Sequence, residues 1–304
     1  IASLPLDGTG KLCYSLACRY ITDISQIYHE ERSRKMKPAL NGATSMKYPL
    51  ELEITAAAKA GFEGLELWWD KVVTFLLNNS INDLHELLQE NNIKAVGICP
   101  FAFSPYRDID ECRRDIQQGL EIAAAIECDT LTVCGYGRPV QISKEEASHR
   151  FADELAYLSE MAEKYQVKLA IEPVSGNTIF QNPLDTLKII ELAGNPENLG
   201  TLVDTFHYSR VGMDPGIVCS IPVDKLYIVH INDSIEGEGE NLTDADRLYP
   251  TEGVLDLAGY MKMLKKIEYQ GYLSVEVFRR DYWKEDIDTI CTRAKAGYDA
   301  MIKL

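Results

Sequence analysis

Four short apolar runs in the second half of the chain each end in a side chain that can bind a metal ion or transfer a proton. The runs 168–171, 199–203, 226–229 and 272–275 are followed by Glu172, Asp204, His230 and Glu276. Three carboxylates and one imidazole form an oxygen-rich ligand set that suits Mn²⁺, Zn²⁺, Co²⁺ or Mg²⁺. Buried acids without a cation would be costly to ionise. The pattern therefore predicts a site for one divalent metal ion, with Mn²⁺ or Zn²⁺ favoured.

Each acid also has a simpler explanation, because a carboxylate at a strand end can cap a helix or pair with an arginine. For one residue that role is the more common one, but the same feature on four successive strands favours a shared site. His207 follows Asp204 by three residues. It is either a functional residue beside the metal or a hydrogen-bonded loop residue, and both interpretations stay open.

These side chains need a framework that brings strand ends together. Short continuous apolar runs are typical of parallel strands covered on both faces, and they predict strands at 38–42, 64–68, 93–99, 130–134, 167–172, 199–204, 226–232 and 272–277. Eight strand–helix units match a closed (β/α)8 TIM barrel of about 250 residues, which places catalytic residues at the C-terminal ends of its strands. The competitor is an open doubly wound sheet, but no glycine-rich phosphate loop follows the first strand. Pro100 is expected to stop the third strand.

The chain divides into two parts of different character. Residues 37–304 carry the regular alternation and are predicted to form a single catalytic domain of the α/β class. Residues 1–36 contain two glycines, two cysteines and a charged run at 29–35, without a clean alternation of strand and helix. We predict that 1–36 is an extension, poorly ordered or loosely docked.

Composition limits the classes of partner. The formal net charge is -16 over 304 residues, and such an acidic surface disfavours nucleic acid. There is no apolar run of about 18 residues and no secretory signal. The eight cysteines are scattered without a C-x-x-C pair, as expected for free thiols in a reducing compartment. We therefore expect a cytoplasmic protein with a small-molecule partner and neither a membrane nor a nucleic-acid partner; a homo-oligomer is left open.

The segment 233–253 is a 21-residue connection between the seventh predicted strand and the helix that follows it. A loop that long in a compact domain is usually a lid or a binding loop. The segment is acidic and carries a single cation, Arg247. Either it is a solvated acidic loop, or Arg247 folds over the site and holds an oxyanion or hydroxyl of a substrate.

Several of these stretches are familiar. The run from Asp204 to His207, the run His230-Ile231-Asn232-Asp233 and the ending Glu276-Val277-Phe278 resemble the xylose-isomerase-like barrel family of sugar isomerases and epimerases. The loop 242–257 and the last strand region 274–283 resemble the inosose isomerase branch more specifically. The resemblance covers 37–304 and is strongest from 167 onward. The chain departs from the family pattern at Thr251-Glu252, where Pro-Gly is usual, and at Asn232, where an acid is common.

The resemblance implies a TIM barrel and a metal-dependent isomerase that moves a proton alpha to a ketone, through an enediolate, on a cyclitol or sugar of the inosose type. It implies that the four strand-end residues are the metal ligands, that Glu172 and Glu276 are also catalytic base and acid, and that His207 and Arg247 contact substrate. The alternatives are a ketose 3-epimerase or an inosose-type dehydratase on the same site.

Two readings from other classes are weaker. An abasic-site endonuclease shares the barrel, but it needs a trinuclear zinc cluster with further histidines, whereas the second and third strands offer Trp68-Trp69 and Cys99-Pro100. A sugar-binding protein without catalysis is disfavoured because acids remain at the strand ends.

Overall fold

Eight parallel strands close into a barrel in the computed structural model, which describes residues 36–304. The strands of the described chain are β1 Lys37–Asn41, β2 Gly64–Trp68, β3 Lys94–Phe103, β4 Thr130–Gly135, β5 Lys168–Ile171, β6 Leu199–Asp204, β7 Leu226–Ile231, β8 Asp233–Ser234, β9 Arg247–Leu248 and β10 Tyr272–Val275. Their order around the barrel is β1-β10-β7-β6-β5-β4-β3-β2, and β8 and β9 form a separate antiparallel pair. The predicted TIM barrel is therefore confirmed. The predicted extension lies outside the described residues apart from Met36, so the bounds of the two parts stay a prediction.

Helices connect the strands in the described chain. The α-helices are α1 Leu50–Ala60, α2 Trp69–Leu76, α3 Ile81–Glu90, α4 Ile109–Ala125, α5 Lys144–Glu163, α6 Pro183–Leu192, α7 Thr205–Arg210, α8 Leu257–Lys266 and α9 Ile287–Met301. Short 3₁₀ helices occupy Gly42–Ser45, Pro215–Ser220, Val223–Lys225, Gly239–Asn241, Asp244–Asp246 and Tyr282–Lys284. In residues 36–304, none of the helices has the length and apolar character to span a bilayer.

Local sequence signals account for several helix bounds. α1 ends at Gly61, which adopts the left-handed φ of +91° that favours glycine. The side chain of Asn182 caps α6 by accepting a hydrogen bond from the backbone of Asp185, and Pro183 occupies the first helical position. The ends of these connections are therefore encoded locally.

One expectation about the elements was wrong, and two helices were missed. β3 does not stop at Pro100 but continues to Phe103. Its pairing with β4 shifts register between Ile98 and Phe101, and a proline without an N–H is tolerated at such an irregularity. The short helices α2 and α7 were not predicted, because each begins directly at a strand end without a separating turn signal.

The barrel interior changes from apolar to polar along its strands. Ala39, Val96, Leu202 and Ile228 form a buried apolar layer. Side chains two positions further along a strand face the same side, and on β1, β6 and β7 these are Asn41, Asp204 and His230, all fully buried. The polar layer thus lies toward the C-terminal ends of the strands, where TIM barrels place their chemistry.

Candidate metal and active site

The four predicted ligands come together at the C-terminal end of the barrel. Glu172, Asp204, His230 and Glu276 each offer one ligand atom, and these atoms lie within 4.8 Å of one another. All four side chains are buried. The two glutamates extend the barrel ladder by one residue, because Glu172 N donates to Val133 O at 3.0 Å and Glu276 N donates to Ile231 O at 3.2 Å. Parallel pairing therefore fixes where their side chains start.

His230 presents an unpartnered nitrogen to the carboxylates. Its Nδ1 lies 3.2 Å from Glu276 Oε2 and 3.4 Å from Glu172 Oε1. This buried atom has no hydrogen-bond partner among the described residues. The other ring nitrogen, Nε2, lies 2.9 Å from Glu66 Oε2. A neutral imidazole that donates from Nε2 has a lone pair on Nδ1, so the donor set fits a divalent cation with hard oxygen ligands and one imidazole.

Asp204 caps a helix and pairs with an arginine, as the simpler explanation of a strand-end acid predicts, and it also faces the other predicted ligands. Its Oδ1 accepts from His207 N at 2.8 Å, which caps α7. Its Oδ2 accepts from Arg247 Nη1 at 2.7 Å and lies 3.8 Å from His230 Nδ1. Burial alone would raise the pKa of Asp204, but the Arg247 guanidinium, together with the hydrogen bond from the backbone N–H of His207, outweighs burial and lowers it. Capping therefore holds Asp204 in place while its second oxygen stays in the cluster.

Arg247 lies inside the site and is only 1% exposed. Its Nη1 donates to Glu276 Oε2 at 2.9 Å as well as to Asp204, and its Nη2 donates to Asp244 Oδ1 at 2.9 Å. Burial would lower the pKa of Arg247, but Asp204 and Glu276 outweigh burial and raise it. Of the two interpretations of the loop, the one in which Arg247 folds over the site agrees with this position; a substrate contact stays a prediction.

The segment 233–253 has structure of its own. β8 and β9 pair so that Ser234 lies opposite Arg247. The Asp233 carboxylate accepts from the backbone N–H groups of Gly253 and Leu255, each at 2.9 Å. A Cβ at Gly253 would come within 2.1 Å of Ser234 O, so the close approach requires glycine. The strand pair and the Asp233 hydrogen bonds fix the conformation of the segment 233–253, which we call the strap and which carries Arg247.

His207 is both hydrogen-bonded and adjacent to the predicted ligands. Its Nε2 lies 3.1 Å from Arg247 Nη2 and 4.0 Å from Glu172 Oε1, and its Nδ1 lies 2.9 Å from Ser175 Oγ. A guanidinium only donates, so we assign Nε2 as the acceptor and Nδ1–H as the donor to Ser175. Burial lowers the pKa of His207, which keeps the ring neutral.

Acidic side chains outnumber basic side chains in this cluster. Burial would lower the pKa of His230, but Glu276 and Glu66 outweigh burial and raise it well above its ordinary value. A proton and a metal ion thus compete for the same Nδ1 lone pair. Burial raises the pKa of Glu276 to about 7, against the opposing influence of His230 and Arg247.

A small cavity of about 140 Å³ is lined by Glu172 and Glu276 of the predicted ligands, together with His207 and Arg247. Trp68 and Phe278 form part of its wall, with ring centroids 5.7 Å apart. Of the other aromatic residues near predicted strand ends, Phe101 and Phe103 are buried in the core, where Phe101 packs against Trp69 at 4.8 Å. A cavity of this size agrees with a small-molecule ligand.

Comparison with known proteins identifies the family. The model of the family described as xylose isomerase-like TIM barrel matches residues 54–293. The chain belongs to this family. An inosose isomerase from Bacillus velezensis is 30% identical over 276 residues, which cover 88% of this chain and 97% of that protein. A 3-dehydroshikimate dehydratase from Pseudomonas putida is 25% identical over 244 residues, 77% of this chain but 37% of that protein.

One solved structure superposes closely on this chain. The crystal structure of the IOLI protein with a bound zinc atom has a TM-score of 0.83 and 27% identity, over 88% of this chain and 98% of that chain. The predicted family and an isomerase-type enzyme are therefore confirmed. The roles of individual site residues stay predictions.

Sequence reasoning missed Glu66, the residue that contacts Nε2 of His230. Glu66 lies in the middle of β2 and is fully buried. Burial would raise the pKa of Glu66, but His230 outweighs burial, together with hydrogen bonds from Thr132 and Asn41, and lowers it. The available signal was a lone acid inside an apolar strand, because a fully buried glutamate is rare unless it is paired.

Proposed function

We propose that the protein is a metal-dependent isomerase that moves a proton alpha to a ketone on a cyclitol or sugar ring of the inosose type. The observation that carries the proposal is the convergence of four ligand atoms within 4.8 Å around a buried imidazole nitrogen without a hydrogen-bond partner. The similarity to an inosose isomerase supports the substrate class, and the small cavity agrees with a single ring.

The residues that would hold the metal are Glu172, Asp204, His230 and Glu276. When bound, a divalent ion supplies Lewis acidity that polarises the ketone and an adjacent hydroxyl. The zinc atom in the similar IOLI crystal structure supports metal binding by this protein. The ligand set suits Zn²⁺ or Mn²⁺ and also admits Co²⁺ or Mg²⁺.

Two carboxylates of this chain would move the proton. Glu172 and Glu276 lie on either side of His230 Nδ1, at 3.4 Å and 3.2 Å. One removes the proton from the carbon next to the ketone, which leaves an enediolate, and a carboxylate returns a proton to the former ketone carbon. The proton of the adjacent hydroxyl passes to the former ketone oxygen, so the carbonyl moves to the neighbouring carbon. Cys134 Sγ donates to Glu172 Oε2 at 3.4 Å and so orients that carboxylate.

Arg247 and His207 would orient the substrate. The Arg247 guanidinium is held by Asp204, Glu276 and Asp244, so it is in position before an oxyanion develops. A donor fixed in advance in a water-excluded site stabilises developing charge effectively. His207 adds a neutral ring beside it, and Trp68 and Phe278 exclude water from the ring face.

A dehydratase is the second candidate, because the chain is also similar to a 3-dehydroshikimate dehydratase. Both reactions begin with the same proton removal, and a dehydratase then expels a hydroxide. A ketose 3-epimerase returns the proton to the opposite face of the same carbon. The site geometry serves all three reactions, so the product distinguishes them.

Solvent-deuterium exchange followed by NMR tests the proposal. Metal-loaded protein is incubated in D₂O with scyllo-inosose and, separately, with D-fructose. Metal-dependent exchange together with a new cyclitol isomer supports the isomerase. Loss of water from the ring supports the dehydratase, and exchange with fructose alone supports the epimerase. Absence of exchange with either compound contradicts the proposed substrate class.

A further inference from the structure

Glu66 lies on the opposite side of His230 from the predicted carboxylate ligands. His230 Nε2 is 2.9 Å from Glu66 Oε2 and 3.1 Å from Oε1, whereas Nδ1 of the same ring faces Glu172 and Glu276. The two nitrogens occupy different edges of the imidazole. Glu66 therefore contacts the ring where it cannot share an ion with Nδ1.

Donors from several strands surround the Glu66 carboxylate. Besides the imidazole on β7, they come from β1, β4 and β10: Asn41 Nδ2 at 2.8 Å, Thr132 Oγ1 at 2.9 Å and Ser274 Oγ at 3.0 Å. An ionised carboxylate only accepts hydrogen bonds. Each of these groups therefore donates, and the imidazole keeps a proton on Nε2.

An apolar side chain would be the less costly choice at this position. The neighbouring interior layer is apolar, with Ala39, Val96 and Leu202 among its members. Burial of a carboxylate carries a desolvation cost that is offset only by good partners. The chain nevertheless places an acid here and directs three further donors toward it, so the acid serves a purpose other than filling space.

We propose that Glu66 is a positioning residue that fixes the orientation and tautomer of His230, so that Nδ1 faces the metal with its lone pair. Glu66 acts through the imidazole and is not itself a ligand. Carboxylate–histidine–metal chains of this kind orient the ring and raise its basicity. The inference rests on the proposed metal site but is independent of the substrate.

The direct test is the metal affinity of Glu66→Gln, which keeps the shape and removes the charge. Zinc dissociation constants are measured by competition with a chromophoric chelator, and the Co²⁺-loaded proteins are compared by visible absorption spectroscopy. We expect a dissociation constant about 10- to 100-fold higher in Glu66→Gln, with an altered Co²⁺ spectrum. Equal affinity and an identical spectrum would overturn the inference.

A matched control separates the carboxylate from the packing around it. Thr132→Val removes one donor to Glu66 but leaves the His230 contact in place. We expect its metal affinity to stay much closer to that of the wild type than the affinity of Glu66→Gln. Equal losses in the two variants would assign the effect to general packing and contradict the positioning role.

Wild-type protein provides a test that does not depend on whether the variant folds. ¹⁵N-histidine NMR of the zinc-loaded protein reports which imidazole nitrogen carries the proton. We expect His230, assigned from the spectrum of His230→Gln, to be protonated at Nε2 and metal-bound at Nδ1. A proton on Nδ1 refutes the inference.

These outcomes also separate the inference from the proposed function. If wild-type protein binds no metal, the proposed function fails and the inference with it. If Glu66→Gln weakens binding while no inosose turns over, the positioning role stands and the substrate proposal fails. If wild-type and variant bind metal equally and inosose turns over, only the positioning role fails.

Discussion

Two buried charged clusters on the same barrel differ in how their charges balance. Near α1 and α2, Lys71 Nζ donates to Glu53 Oε1 at 2.8 Å and to Gly42 O and Ser45 O at 2.9 Å each. The ammonium also donates to Ser45 Oγ at 3.3 Å, so four acceptors surround its three N–H groups, and one positive charge meets one negative charge. In the polar layer around His230, the carboxylates outnumber the guanidinium of Arg247.

The difference indicates which cluster is built for a ligand. The Lys71–Glu53 pair needs no further cation, and its ammonium has all its partners within the chain. In the His230 cluster four acids, Glu66 included, lie around one imidazole and one guanidinium, and the imidazole Nδ1 has no hydrogen-bond partner in the described chain. Buried charges tolerate such an excess only when a counter-ion arrives. A balanced charge is what a structural pair needs, whereas an acidic excess with a free lone pair is what the proposed metal site needs.

The largest expected effect is on catalysis. Glu276→Gln removes a proposed proton carrier, so turnover of scyllo-inosose should fall by about 100- to 10,000-fold. Circular dichroism and metal content should show a folded protein, and Glu90→Gln on the exposed end of α3 is the matched control. Turnover at the wild-type rate in Glu276→Gln would remove this residue from the mechanism.

Disruption of the Lys71–Glu53 pair should change the stability of the protein and not its activity. Lys71→Met leaves Glu53 buried without its cation, which should cost about 3–5 kcal/mol of unfolding free energy. Burial already raises the pKa of Glu53 above 4.5, against the opposing influence of Lys71. A raised pKa in the folded state gives stability that is present at low pH and lost as pH rises, so the loss should grow from pH 5 to pH 8.

Urea titrations at both pH values measure this loss. The double variant Lys71→Met, Glu53→Leu removes both charges and should regain much of the lost stability. A loss in Lys71→Met that is independent of pH would show that Glu53 does not carry it. A changed zinc affinity in Lys71→Met would break the separation between the two clusters.

Metal addition should stabilise only through the acidic cluster. At a free zinc concentration 100 times the dissociation constant, the folded state should gain about 2.7 kcal/mol, and chelation should remove that gain. The increment should be the same in wild type and in Lys71→Met, because distant sites act additively. Differential scanning calorimetry with and without chelator checks this, and an increment that vanishes in Lys71→Met would show coupling.

The strand-end ligands could be predicted because apolar runs in the sequence show where parallel strands lie, and the ligands follow directly at the ends of those runs. Apolar runs of parallel strands are visible in a single sequence, and a barrel converts the ends of such runs into neighbours. The same reading could not find Glu66, because it considered the ends of strands and not their interiors. It could not find the β8–β9 pair either, since two-residue strands have no period.

Other differences arise from tertiary context. Pro100 lies within β3 because the register with β4 shifts around it, and a register shift has no local signal. The charge balance of the polar layer also depends on which strands are neighbours, since Asn41, Thr132 and Ser274 reach Glu66 from three different strands. Closure of the barrel was predicted, but only the structure shows which side chains it brings to Glu66.

An exposed charged cluster completes the comparison and should have the smallest effect. Arg293 pairs with Glu252 at 3.1 Å and with Glu285 at 2.7 Å, and the Arg293 and Glu252 side chains are 34% and 39% exposed. Solvent screens such pairs, so Glu252→Gln should change the unfolding free energy by no more than about 1 kcal/mol. Tyr282 OH, which donates to Glu252 at 2.8 Å, keeps an acceptor in the glutamine variant.

Urea titration measures the unfolding free energy of Glu252→Gln, and zinc competition on the same preparation measures its metal affinity. Glu252 lies on the strap that carries Arg247. Weakened zinc binding in Glu252→Gln would therefore mean that this exposed pair affects the His230 cluster. Burial and charge balance would then not suffice to distinguish the functional cluster from the structural one.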